Sequence, residues 1–183
     1  AYLGYRQSDQ MSLYGLQNGD LETLVPSGKQ AFQRILYELE KAKAAGIWQN
    51  ENPKFPAGGE PQFQQKQKEL FVFASDFLQV GEEWLKLIQS VANPRREVLI
   101  FQVLGEEESN FNLNGFYRFK DLETGKEIEL EASAIKEEVR QKAQSYLANL
   151  DEALRMPHVH LIRNTLHEPI AQVISEALRM RKI

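Results

Sequence analysis

Two short apolar runs constrain this chain more than any other feature. Leu70 to Ala74 in "LFVFAS" and Val98 to Leu104 in "VLIFQVL" are nearly continuous in apolar side chains. A strand that is apolar at successive positions is covered on both faces, the condition of strands in a parallel sheet flanked by helices. Each run is followed by polar, turn-forming residues: Ser75-Asp76 after the first, Gly105 and three glutamates after the second. In open α/β sheets ligands collect at the carboxyl ends of the strands. Asp76 is therefore a candidate ligand-site residue, and as a turn former it needs no ligand at all.

The rest of the chain alternates strand and helix. "MSLYGLQ" reads as a short strand with alternate apolar positions at Met11, Leu13 and Gly15. From Lys29 to Ala45, Phe32, Ile35, Leu36, Leu39 and Ala42 recur at helical spacing, with Ser27 as a cap and Gly46 as a stop. Residues 47–67, with three prolines, adjacent glycines and five glutamines, read as a flexible loop. Trp84, Leu85, Ile88 and Val91 share a helix face, and Asn93-Pro94 ends that helix. A β-hairpin is expected over 115–132, turning at Glu123 to Lys126. A long helix follows from Ala134 to Leu154, then the strand "HVHLIRN", then a last helix opened by Pro169 and ending near Met180. Strands alternating with helices predict one doubly wound α/β domain over 1–183, its parallel core formed by 12–16, 70–75, 97–104 and 159–163.

Composition narrows the function. With 183 residues, 42% apolar and 26% charged, the chain suits one globular core. A net charge of −4 without a long basic run argues against nucleic acid. No apolar stretch reaches the roughly 20 residues of a membrane-spanning helix. The absence of cysteine excludes disulfides and thiolate sites and favours the cytosol. His158 and His160, two apart on a strand, have the spacing of some metal pairs, with His167 beyond them, although a half-exposed strand end explains them equally. Glu168 before Pro169 suits a helix start. "GEEES" reads as a solvated acidic loop. Gly58-Gly59 belongs to no phosphate-binding fingerprint, and Ser75 sits in no nucleophile elbow.

The ordered set "SDQMSLYGL", "LVPSGKQAFQRILYEL", "LFVFASDFL", "REVLIFQVLGEEE", "FYRFKDLETGKEIEL" and "HVHLIRNTLHEPIAQVISEALRMR" resembles the bacterial von Willebrand factor A-like proteins of "domain of unknown function fifty-eight", often encoded beside MoxR-type AAA ATPases. The resemblance implies a von Willebrand A-like sheet with helices on both faces and an inserted hairpin. It also implies that "AYLGYRQSDQ" continues a first helix, so that the chain is an N-terminally incomplete part of a longer protein. No Asp-x-Ser-x-Ser occurs, Ser27 stands nearest the Thr of the second metal loop, and Gly105 stands where a further Asp is expected. Only Asp76 matches the family's metal-ion-dependent adhesion site, so magnesium is implied only where the missing motif is supplied. The implied role is a non-enzymatic protein-interaction module, an adaptor to a MoxR-type ATPase, with Ser75, Asp76, Phe77 and Ser27 facing the partner. The alternative is a small hydrolase or ligand-binding domain using a cleft near Asp76 and the histidines.

Overall fold

The computed structural model describes residues 1–17, 20–43, 68–77, 83–106, 115–120 and 127–180. They fall into two compact units, Ala1–Gln65 and Lys66–Ile183. The loop expected over 47–67 and the hairpin turn at 123–126 lie outside the described residues.

The first unit contains α1 (Tyr2–Gln7), β1 (Leu13–Gln17), β2 (Asp20–Val25) and α2 (Ala31–Lys41). Val25, Ala31 and Ile35 form its small core, flanked by Met11, Leu13 and Leu24. Tyr5 of α1 stacks on Phe32 of α2 with ring centroids 4.5 Å apart. Two expectations fail here. The first strand does not join the parallel core; it pairs antiparallel with β2, from Leu13 opposite Val25 to Gln17 opposite Asp20. The connecting dipeptide is Asn18-Gly19, the pair most favoured between hairpin strands, a signal that outweighs the polarity of "DLET". Nor does Ser27 cap α2: Gln30 occupies the cap position, without a side-chain hydrogen bond. A Cβ at Gly15 would lie 2.8 Å from Leu24 Cδ1, so a larger residue there would displace the Leu24 side chain.

In the second unit the sheet order is β3-β4-β7, with β3 (Glu69–Ser75), β4 (Arg96–Leu104) and β7 (Val159–Thr165) all parallel. Between them come α3 (Glu83–Val91), the antiparallel pair β5 (Phe116–Lys120) and β6 (Glu127–Glu131), and α4 (Ala132–Ala153); α5 (Ile170–Met180) closes the chain. This is an α/β fold with a parallel sheet between helices. Gln102 stands in register with Ser75 on one side and Arg163 on the other. Paired residues of a parallel sheet point to the same face, so one face carries Val98, Ile100, Gln102 and Leu104, each at most 2% exposed. Helix α4 lies on this face, its Asp151 bonded to Arg163. The opposite face carries Leu99, Phe101 and Ile162, which pack on Val173 and Ala177 of α5.

Burial on both faces holds for β4 and fails for β3. Among the described residues β3 is an edge strand whose burial alternates, leaving Leu70 at 42% and Val72 at 57% exposure. The reason is geometric. Helix α5 seats its buried residues on β4 and β7 and leaves the same face of β3 uncovered.

Two matched substitutions separate these environments. Val98→Thr puts a hydroxyl at a position with 0% exposure and is expected to cost about 1–3 kcal/mol. Val72→Thr, at the exposed position, is expected to change stability by about 0.5 kcal/mol or less. Urea denaturation of the two variants beside the parent measures both.

Candidate functional site at the carboxyl end of the parallel sheet

The row Ser75, Gln102 and Arg163 lies one residue short of the turn at Asp76. Gln102 interrupts an otherwise apolar strand, and its side chain is fully buried. A buried amide needs partners for both of its ends. Its Nε2 donates to the backbone carbonyl of Asp76 at 3.0 Å, and its Oε1 accepts from Arg163 Nε at 2.8 Å. Arginine only donates, so this contact fixes which end of the amide faces Asp76. The guanidinium in turn donates to both carboxylate oxygens of Asp151 on α4, at 2.8 and 3.3 Å. Such bidentate pairing holds orientation as well as charge.

The next peptide is held from two further directions. Phe77 has φ 59°, the left-handed region that a bulky residue rarely adopts without surrounding support. Its N–H donates to Ser75 Oγ at 3.1 Å, and its carbonyl accepts from the Tyr146 hydroxyl of α4. Its ring is 1% exposed. The Asp76 side chain, between these clamped peptides, is exposed. Tyr146 registers that neighbour: burial, and then the charge of Asp76, raise its phenol above the ordinary 10.0.

The sequence-based candidates separate accordingly. Ser75 and Asp76 are part of this arrangement. Phe77, expected to be an exposed partner contact, instead points inward because the left-handed turn carries its ring into the core. Glu107 and Glu108 of the acidic loop lie outside the described residues. Ser27 is exposed and belongs to the first unit. The two histidines have different settings. His158 precedes β7 in a left-handed turn at φ 66°, so strand alternation does not align it with His160, whose Nε2 lies 3.2 Å from Glu97 Oε1. Glu168, two residues ahead of α5, accepts the backbone N–H of Thr165 at 2.8 Å.

Among the described residues no cluster of three or more histidine or carboxylate side chains is arranged around a metal position. Magnesium requires near-octahedral oxygen coordination. Here Asp76 is one carboxylate, and the neighbouring Ser75 hydroxyl already accepts the Phe77 N–H.

Gln102, Arg163, Asp151 and Tyr146 were not singled out from sequence. Gln102 had a signal, as the one polar residue between Val98 and Leu104. The other three are ordinary strand and helix residues until the chain folds.

The family comparison can be set against this geometry. The model of the family described as "Protein of unknown function DUF58" matches residues 1–151. The chain belongs to the DUF58 family. The DUF58 match includes Ser75, Asp76, Gln102, Tyr146 and Asp151, while β7 with Arg163, and α5, lie beyond it. No curated protein and no solved structure gives a significant match.

Removing the amide while keeping the volume tests the network. Gln102→Leu leaves the Arg163 Nε and the Asp76 carbonyl without their partner, and is expected to cost about 1–3 kcal/mol in chemical denaturation. Tyr146→Phe also allows a pH test. A group whose value is raised by folding contributes stability that is complete below its unfolded value and is lost as pH rises through the folded one. Stability should therefore fall as pH rises above 10.0, and this component of the fall should be missing from Tyr146→Phe in denaturation midpoints measured from pH 8 to 11.

Proposed function

We propose that the carboxyl edge at Asp76 docks a protein partner and is not a site of turnover. The observation that carries this reading is an exposed carboxylate on a backbone held by Gln102, Ser75 and Tyr146. Holding a polar group in place before binding lowers the ordering cost of association. A strained left-handed residue beside an exposed polar one is also a common property of functional turns. The docked group is a lysine or arginine of the partner, which a preset carboxylate receives through a charge-assisted hydrogen bond.

Resemblance to von Willebrand A-like domains supports the same reading, since those domains bind partners at this edge of the sheet. The gene neighbourhood typical of that resemblance makes a MoxR-type AAA ATPase the first partner to test, with this chain as its adaptor. A hydrolase reading is less well supported. The Ser75 hydroxyl is engaged by the Phe77 amide, with no histidine among its hydrogen-bond partners in the described residues.

The test is titration of a purified MoxR-type ATPase from the same genome against the chain and its Asp76→Ala variant. Asp76→Ala should weaken binding at least tenfold, about 1.4 kcal/mol, with little change in melting temperature because the side chain is exposed. Undiminished binding by the variant would refute the role of Asp76. Turnover of an ester or phosphate substrate that disappears in Asp76→Ala would replace docking with hydrolysis.

A further inference from the structure

Helix α5 covers only part of its face of the sheet. Val72 stands in register with Leu99, which packs on α5, so the even-numbered residues of β3 belong to the same face. Among them Leu70, Val72 and Ala74 are exposed. The helix has a matching open flank. At 3.6 residues per turn, Ile170, Ile174 and Leu178 form a stripe beside Val173 and Ala177, which seat α5 on the sheet. All three stripe residues are exposed. Handedness decides which side they occupy. Parallel crossovers are right-handed, α4 crosses from β4 to β7 on the far face, and α5 runs back after the turn 166–169. The apolar flank therefore lies on the β3 side, and the exposed Gln172 and Glu176 lie on the other. Leu70, Val72 and Ala74 floor a trough that the α5 stripe walls. With strands about 4.8 Å apart, a helix set beside α5 at the usual distance of about 8–10 Å rests on β3.

The ends of the trough are charged, with opposite signs. Lys68 and Asp76 continue the even series of β3 beyond its two ends, and both are exposed. They are about 26 Å apart along an extended chain.

We infer that the trough receives an amphipathic helix of the partner, laid antiparallel to α5, with acidic residues in its first turn at Lys68 and an arginine or lysine in its last turn at Asp76. This rests on the docking reading of Asp76 and names the rest of the bound segment. Charge complementarity fixes the direction of the helix, and an acidic start with a basic end is also the order its macrodipole favours. Between those ends the helix lays an apolar stripe of three to four turns into the groove, a recurring mode of peptide recognition. Two other occupants fit less well. An extended segment added at the outer edge of β3 leaves the apolar face open. A second copy exchanging α5 across a twofold axis between facing sheets brings the two helices together in parallel. That sets Glu168 of the second copy toward Asp76 and its Arg179 toward Lys68, like against like.

Two synthetic helical peptides of about 18 residues, long enough to span the trough, test this. Both carry the same apolar stripe. One has glutamates in its first turn and arginines in its last, and the other has them exchanged. Fluorescence anisotropy should show the first binding about tenfold more tightly, the size expected when two surface ion pairs are reversed. The Lys68→Glu, Asp76→Lys double variant should cancel or reverse that preference, which separates pairing with the chain from the peptides' own helicity. Val72→Asp and Ile174→Asp, at exposed positions and checked for native melting, should each weaken the first peptide at least tenfold. Equal binding of the two peptides, no binding of either at millimolar concentration, or binding that ignores Val72→Asp would overturn the inference. Self-association of the chain that is lost in Val72→Asp would give the trough to a second copy instead. The docking reading stands or falls separately. ATPase binding that needs Asp76 but tolerates Val72→Asp and Ile174→Asp would keep the docked carboxylate and remove the helix.

Discussion

The buried amide of Gln102 is the contact on which the site depends. A side chain with both a donor and an acceptor, placed in an apolar strand with 0% exposure, is tolerable only if both are matched, since an unmatched polar group there costs about 1–3 kcal/mol. The fold matches them with two different elements. One end holds the carbonyl of the turn after β3, and the other holds an arginine on β7 that is itself bound to α4. A single residue on the central strand thus ties the turn that presents Asp76 to the far strand and to the helix covering that face.

Helix α4 contributes to that turn twice. Its Asp151 orients Arg163, and its Tyr146 holds the Phe77 carbonyl. The helix follows β6 without a linker, and its Ser133 accepts the N–H of Gly115 just before β5 at 3.1 Å. The hairpin and the site are therefore joined by one helix of 22 residues. Its outward surface carries ion pairs one turn apart, Glu137 with Arg140 and Glu138 with Lys142, which are exposed and contribute little to stability.

How far the sequence could be read follows from how local each signal is. The apolar run of β4 was legible because burial on both faces requires apolar residues at successive positions. The similar run in β3 has the composition of a covered strand, while among the described residues no helix covers the face that carries Val72. The β1–β2 pair had a local signal in Asn18-Gly19, the dipeptide most favoured between hairpin strands. Asp76 could be picked out as a strand-end carboxylate. Its supports could not, because Tyr146 lies 69 residues from its acceptor and Gln102 lies 61 residues from Arg163.

The sequence by itself determined the α/β class, the parallel character of the β4 neighbourhood and the strand-end position of Asp76, because each follows from side-chain periodicity over fewer than ten neighbouring residues. Only the tertiary structure decided which side chains hold that turn and that Phe77 turns inward. Those outcomes depend on strand order and register, which join residues far apart in the chain and leave no periodic trace in it.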